Sequence, residues 1–468
     1  MIDVRRLHEL DFTDKRVTVV GLGVEGVDMV RYLSRHNADV TISDSKPATR
    51  LVDRIREIDA LGVNLSLGVN DEKAIVAAEA LFVSQGVPLD LPQLQTARRR
   101  GVPFLSMVGL FFEICPGPVV GITGSSGKTT TTALVGEMLK ADERDVFVGG
   151  NIGVGLLDKL DDLRPYTWSV LEVSHTQLQI VDRSPHVAAV LNITPNHLDR
   201  FEWEDYVALK ARILEFQEAD DIAILGYDNP ETRALAPRVH GRLLWFGMTD
   251  EIPGEGVFVR DGRAVARLNG REEPLFLLED VTLRGTHNQE NAVAAATIAL
   301  ACGASPAAIA LAIRGFGGVP HRLEFVTEAN LISYYNDSIA TTPERTLAGI
   351  RSFREPIVLL LGGRDKHLPL DDLAREAHQR CRAIMLFGES AAKLEGALKD
   401  AGSTAPVTRY ETMEEAVLAA RDAAQAGDIV LLSPACTSYD AYDNFELRGD
   451  HFREIVARIA EEAPKSKA

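Results

Sequence analysis

Lys128 and Thr129 close the run Gly124-Ser125-Ser126-Gly127-Lys128-Thr129, and Thr130 follows them. Glycines let a backbone wrap phosphate oxygens, the N–H groups of a following helix point at them, and a lysine supplies a point charge. The threonine hydroxyl is placed to bind Mg²⁺, as in phosphate-binding loops generally. A full Walker A pattern would need glycine at position 122, where Ile122 stands. An ordinary glycine turn is the bland rival, but a strand-like PVVGIT before the run and a helical TTTALVGEMLKA after it favour the phosphate loop.

A second glycine run, Gly21-Leu22-Gly23-Val24-Glu25-Gly26, follows the strand-like RVTVV, with Asp44 at the end of the next apolar strand. Alone this spacing suggests a dinucleotide fold, although any nucleotide diphosphate can use such a turn. Glu172 ends TWSVLEVS, and a carboxylate at a strand end beside a phosphate loop can hold Mg²⁺. A helix cap or a surface ion pair is its bland alternative. His197 and Lys210, taken singly, read as a structural histidine and a solvated helix lysine. Asn288 and Asn291 share a helix face, where amides can receive adenine or phosphate; capping competes, because Thr286-His287-Asn288-Gln289 has capping-box spacing. Further on, Asn336-Asp337-Ser338, Arg364-Asp365-Lys366 and Ser433 with Thr437-Ser438 each follow an apolar strand, at the usual ligand crevice of open α/β sheets.

The elements that must position these groups are legible in the pattern. Over 468 residues, short apolar strands alternate with helical stretches, which predicts α/β architecture with mainly parallel sheets. Asp221–Gly285 differs: short strands with Asp261-Gly262 and Asn269-Gly270 turns read as hairpins. The expected division is 1–116, 117–318 and 319–468. The net charge of −18 argues against nucleic acid as a partner. Residues 1–116 are nearly neutral, with 14 Lys and Arg against 16 Asp and Glu, and suit an anionic ligand best. Four scattered cysteines with no CxxC pair disfavour zinc and disulfides. The N-terminus lacks a signal-peptide pattern, and no apolar run reaches the ~20 residues of a membrane span. A cytoplasmic protein with no membrane insertion is expected.

Together, GITGSSGKTTTTALVGEML, GGNIGVG, LNITPNHLDRF, HNQENAVAA, GVPHRLE, YNDSIATTP, LLGGRDK and LLSPACTSYDAYDNFELRGD resemble the Mur ligases in order and over nearly the whole chain. The last stretch points to the glutamate-adding branch. The resemblance implies three domains: a Rossmann-like UDP-binding domain, a P-loop ATPase-type domain with a small β region, and a Rossmann-like C-terminal domain. It implies a monomeric, ATP-dependent ligase. UDP-N-acetylmuramoyl-L-alanine would be activated as an acyl phosphate and joined to D-glutamate, for peptidoglycan synthesis.

The resemblance also assigns residues. Gly124 to Thr130, Asn288, Asn291, Arg322 and Asp337 would bind ATP. Thr129, Glu172, His197 and a carbamylated Lys210 would hold two Mg²⁺ ions, with Lys128, His197 and Lys210 catalytic. Gly21, Leu22, Gly23, Val24, Asp44, Ser45, Lys46 and Asn151 would receive the UDP substrate. Lys366, Ser438 and Phe445 would grip glutamate. Three positions depart from the pattern: Ile339 replaces a lysine, His175-Thr176 replaces Ser-Phe, and Gly109 replaces an acid. Ile339 leaves L-glutamate, or another Mur or folylpolyglutamate-type ligase, open as alternatives. An NAD-dependent oxidoreductase built on Gly21–Gly26 and a non-catalytic nucleotide sensor are the rivals from other classes.

Overall fold

The computed structural model describes residues 11–151, 155–195, 201–283, 285–366, 368–402 and 405–462. The chain forms two compact units, 1–316 and 317–468.

The first unit carries two sheets. One is built from β1 (Arg16–Val20), β2 (Asp39–Asp44), β3 (Asn64–Leu67), β4 (Ala80–Val83) and β5 (Phe104–Leu105), all parallel, in the order β3-β2-β1-β4-β5. Val17, Val19 and Val20 of β1 are buried, as expected of a parallel strand covered on both faces. Strand order reverses between β1 and β4, which opens a crevice at their C-terminal ends. The Gly21 turn leaves β1 at that crevice.

The second sheet holds β6 (Val119–Thr123), β7 (Val146–Gly150), β8 (Trp168–Glu172), β9 (Val187–Val190), β10 (Ile222–Gly226), β11 (Arg242–Phe246), β12 (Gly256–Arg260), β13 (Arg263–Leu268) and β14 (Arg271–Leu277). Its order is β14-β13-β12-β11-β10-β9-β6-β8-β7. β6 runs between β8 and β9, so the phosphate-type loop leaves the sheet at another reversal of strand order. The Asp261-Gly262 and Asn269-Gly270 hairpins form as the sequence predicts, with φ of 50° at Asp261 and 51° at Asn269. The hairpin reading fails for the start of that region. β10 and β11 pair in parallel with each other, and β9 and β12 flank them in parallel, so the two strands extend the sheet.

One apolar cluster runs through both sheets, including Val19, Met29, Phe111, Leu156, Leu171 and Ile213. Polar groups fix the contact. Asp28, on the helix Val24–Arg35, accepts the N–H groups of Leu156 (2.8 Å), Leu157 (2.9 Å) and Asp158 (2.9 Å). Its carboxylate thereby satisfies the donors that open the 3₁₀ helix Leu157–Asp162.

The second unit contains β15 (Glu324–Ala329), β16 (Ile332–Asn336), β17 (Ile357–Gly362), β18 (Cys381–Phe387), β19 (Val407–Tyr410) and β20 (Ile429–Ala435), in the order β15-β16-β20-β17-β18-β19. Among these strands β15 and β16 pair antiparallel, and the other neighbours pair in parallel. Apolar clusters cover both faces of β17 and β20, which is why IVLLLG and IVLLSPA read as continuous rather than alternating apolar runs. All four cysteines are free thiols. Among the described residues, no helix is long and apolar enough to cross a membrane.

Candidate active site

The loop after β6 ends at Gly127, which precedes the helix Lys128–Ala141 with φ of 80°. A Cβ at Gly127 would lie 2.2 Å from Asn291 Oδ1, so only glycine lets the helix Thr286–Ala301 approach this closely. Ser125 Oγ accepts the Thr194 N–H (3.0 Å) and lies 3.1 Å from Tyr206 Oη, while the Ser126 N–H donates to Asn192 Oδ1 at 3.0 Å. The loop is therefore shaped by groups that follow β9, before any ligand is considered.

Two lysines converge on it. Lys128 Nζ and Lys210 Nζ each donate to the Gly124 carbonyl at 2.9 Å, and Lys128 also reaches the Ser125 carbonyl at 3.4 Å. The solvated reading of Lys210 is overturned: it is 1% exposed, with Nζ 4.9 Å from the centre of the Tyr206 ring. Tyr206 lies one helical turn earlier on Trp203–Ala211, an i,i+4 partner that no motif in the sequence marks. Burial first, and then the charge of Lys128, lower the Lys210 ammonium from 10.5 to about 7. Such an amine is substantially neutral near pH 7 and carries a free lone pair.

Glu172 ends β8 opposite Ile122 of β6, one strand from the loop. It is neither a cap nor a surface ion pair: it is 4% exposed, and Ser174 caps the next helix. Oε1 accepts from Asn151 Nδ2 at 3.0 Å, whereas Oε2 is buried with no hydrogen-bond partner among the described residues. A buried carboxylate oxygen without a donor is costly unless a cation sits against it. Among the described residues, no three His, Cys, Asp or Glu side chains cluster for a metal. The donors expected beside Glu172 are a Thr129 hydroxyl and a lysine carbamate, which suits a hard, oxygen-seeking ion such as Mg²⁺. His197, the remaining expected ligand, lies outside the described residues.

Asn288 and Asn291 meet as their spacing implies, Nδ2 of Asn291 donating to Asn288 Oδ1 at 3.2 Å. The capping box at Thr286 does not form. Gly285 takes the cap position with φ of 96°, which places Thr286 inside the helix, and Gln289 instead donates to the Leu278 carbonyl. Beside the loop, Ser126, Asn192, Asp228, Phe246, Glu290 and Asn291 help line a cavity of about 280 Å³.

In the first glycine turn, Asp44 accepts from the backbone N–H of Leu22 (2.7 Å) and Lys46 (2.8 Å). Its carboxylate braces the turn. Ser84 Oγ donates to the Gly21 carbonyl at 2.7 Å, and Gly26 packs so tightly that a Cβ would stand 2.2 Å from that same oxygen. Gly23, Val24, Ser45 and Lys46 lie on the exposed side of the turn.

In the second unit, Asp337 is buried, accepting from Ser433 Oγ (2.7 Å) and from the Leu323 N–H (3.1 Å); burial pushes its carboxyl up to about 7. Lys366 Nζ donates to Thr341 Oγ1 at 3.2 Å, and burial followed by the charge of Arg345 lowers its ammonium. Arg322 sits in the turn after Val319, its N–H donating to the Val319 carbonyl. The Ser438 carbonyl accepts from the N–H groups of Ala441 and Tyr442, and the Phe445 carbonyl accepts from Ser338 Oγ. Arg448, unremarked in the sequence, is fully buried and donates to Ser338 Oγ, the Ser338 carbonyl and the Cys436 carbonyl. It ties the ends of β16 and β20 together.

Residues 15–106 match the Mur ligase MurD-like N-terminal domain, 122–299 the Mur ligase middle domain, and 321–436 the Mur ligase glutamate ligase domain. The UDP-N-acetylmuramoylalanine–D-glutamate ligase of Symbiobacterium thermophilum is 40% identical over 448 residues, 95% of this chain and 98% of that protein. Its counterpart in Koribacter versatilis is 39% identical over 458 residues, 97% of this chain and all of that protein. In fold, the chain is similar to the UDP-N-acetylmuramate–alanine ligase MurC of Thermotoga maritima, with TM-score 0.50, 18% identity, and 95% and 99% of the two chains covered. A UDP-N-acetylmuramoyl-L-alanyl-D-glutamate–2,6-diaminopimelate ligase gives TM-score 0.50 at 15% identity, covering 97% and 94%.

Proposed function

The chain belongs to the Mur ligase family, and on that premise we propose that it joins D-glutamate to UDP-N-acetylmuramoyl-L-alanine at the expense of ATP. The carboxylate of the nucleotide-sugar substrate attacks the γ-phosphorus of ATP, giving an acyl phosphate and ADP. The amine of glutamate then attacks the acyl carbon, loses a proton, and expels phosphate. Activation is needed because a free carboxylate is a poor electrophile. The site contributes mainly by positioning and by neutralising phosphoryl charge.

The observation that carries this reading is the convergence of Lys128 and the buried Lys210 on Gly124, one strand from the unpartnered oxygen of Glu172. Lys128 holds the phosphates of ATP with the loop Gly124-Ser125-Ser126-Gly127 and the hydroxyls of Thr129 and Thr130. Asn288 and Asn291 bind ATP beside this loop, and Arg322 and Asp337 of the second unit are the further nucleotide contacts that the family resemblance assigns. Glu172, Thr129, His197 and a carbamylated Lys210 hold Mg²⁺, which when bound offsets the charge developing on the phosphoryl oxygens. The neutral amine of Lys210 adds CO₂ through its lone pair and releases a proton, which turns a cation into an anionic oxygen ligand.

Gly21, Leu22, Gly23, Val24, Ser45, Lys46 and Asn151 receive the UDP substrate, and Asp44 acts through the turn it braces. Lys366, Ser438 and Phe445 hold glutamate. Residues 1–116, 117–318 and 319–468 thus serve the nucleotide-sugar, ATP and amino acid, in a monomeric cytoplasmic enzyme of peptidoglycan synthesis. The relatives' names specify D-glutamate, which favours that enantiomer over L-glutamate as the acceptor. Phosphate release from ATP with UDP-N-acetylmuramoyl-L-alanine, run separately with each enantiomer, tests the proposal. Release with D-glutamate is expected, release with L-glutamate alone overturns the acceptor, and release with neither overturns the ligase.

A further inference from the structure

Gln85 follows β4 and ties the crevice of the first sheet to the metal-side carboxylate of the second. Its Nε2 donates to Asn151 Oδ1 at 3.2 Å, and Asn151 Nδ2 donates to Glu172 Oε1 at 3.0 Å. Its Oε1 accepts from Ser174 Oγ (3.0 Å) and Thr176 Oγ1 (3.1 Å). Its backbone N–H donates to Glu25 Oε2 at 2.8 Å. The other oxygen of Glu25 accepts from Gln177 Nε2 at 2.7 Å, and Gln177 Oε1 accepts the Ser174 N–H at 3.0 Å. The chain of bonds closes on itself around Gln85.

Its polarity is set from one end. Glu172 is acceptor-only as a carboxylate, so Asn151 must turn Nδ2 toward it and Oδ1 toward Gln85. Gln85 must then present Nε2 to Asn151 and Oε1 to the two hydroxyls. Reversing either amide would set two oxygens face to face. Thr176, one of the departures from the family pattern, is the residue that supplies the second hydroxyl.

We propose that Gln85 is a positioning residue for the metal-binding carboxylate: through Asn151 it engages Glu172 Oε1, and Oε2 remains as the oxygen available to the cation. Glu25 fixes Gln85 in turn by its backbone. The proposal rests on Glu172 being a Mg²⁺ ligand. Hydrogen-bonding partners that orient a metal ligand typically cost about 10–100-fold in metal affinity when removed.

The test is Mn²⁺ titration, followed by electron paramagnetic resonance, into the full-length protein saturated with ADP. Gln85→Leu keeps bulk and removes every side-chain bond; Gln85→Glu keeps the acceptor for Ser174 and Thr176 but loses the donor to Asn151. Both are expected to weaken Mn²⁺ binding by about tenfold or more, with ADP affinity in the absence of metal unchanged. Should Gln85→Leu fail to fold, Gln85→Glu carries the test alone. Glu172→Gln is the control. If it loses Mn²⁺ while the folded Gln85 variants bind as wild type, the positioning role is overturned and the metal site stands. If Glu172→Gln also binds as wild type, the metal reading falls and the positioning role with it.

Discussion

Two glycine-rich turns, each leaving a parallel strand at a reversal of strand order, have been given opposite charge. Around Gly124–Gly127 the charged groups that bond to the loop are lysines, and both donate to a loop carbonyl. Around Gly21–Gly26 the charged groups engaged in hydrogen bonds are acids: Asp44 accepts the N–H groups of Leu22 and Lys46, Glu25 those of Gln85 and Gln177, and Asp28 three N–H groups of the second sheet's connections. The acids are consumed by structure, and the lysines lean on carbonyls that a phosphate can replace as acceptor. A turn that only seats a diphosphate can rely on backbone donors. A turn beside a transferring phosphoryl group, the role proposed for Gly124–Gly127, needs positive charge held at the phosphoryl oxygens.

The sharpest way to break this comparison is to remove one member from each side. Lys128→Ala should lower turnover by about 10³-fold, read as phosphate release, with the circular dichroism spectrum unchanged; a mild loss would make the two turns equivalent. Asp28→Ala should instead act on stability, losing about 3 kcal/mol in urea unfolding because three backbone donors lose their acceptor. If Asp28→Ala were as stable as wild type, the acids of the first turn would not be structural.

Lys210 offers the next largest effect. Its folded ammonium, lowered to about 7, is disfavoured by burial, so the neutral amine predominates above that value and the cation below it. A carbamate signal from ¹³C-bicarbonate, followed by nuclear magnetic resonance, should therefore grow as pH rises through about 7 and vanish below. Lys210→Ala should lower activity by about 10²-fold and regain part of it with added short-chain carboxylic acids. Full activity without them would remove the carbamate. The smallest effect is expected at Asp44→Asn, whose amide can accept but no longer as an anion. It should raise the KM for the nucleotide-sugar by about tenfold at most and leave the KM for ATP alone, whereas equal shifts in both would blur the distinction.

Much of this site was legible in advance. The strand, glycine and lysine order at Val119–Thr129 dictates its own local geometry, and the Asp261-Gly262 and Asn269-Gly270 turns form because Asp and Asn tolerate a left-handed φ. Local spacing misled where a backbone alternative competed. The capping box at Thr286 lost to Gly285, and the strands at Ile222 and Arg242 joined a parallel sheet rather than hairpins. His197 and Lys210 carried no local signal at all, and only the family resemblance marked them.

The sequence by itself determined the α/β alternation and both glycine turns, with Lys128 at the start of the helix that follows the second, because each depends on neighbours within a few residues. Only the tertiary structure decided that Lys210 is buried against Tyr206 beside Lys128, that Asp44 is a brace, and that Glu172 keeps one oxygen without a partner among the described residues. Those facts depend on which strands lie side by side. Sheet order is set by burial summed over the whole unit, so no short stretch of sequence records it.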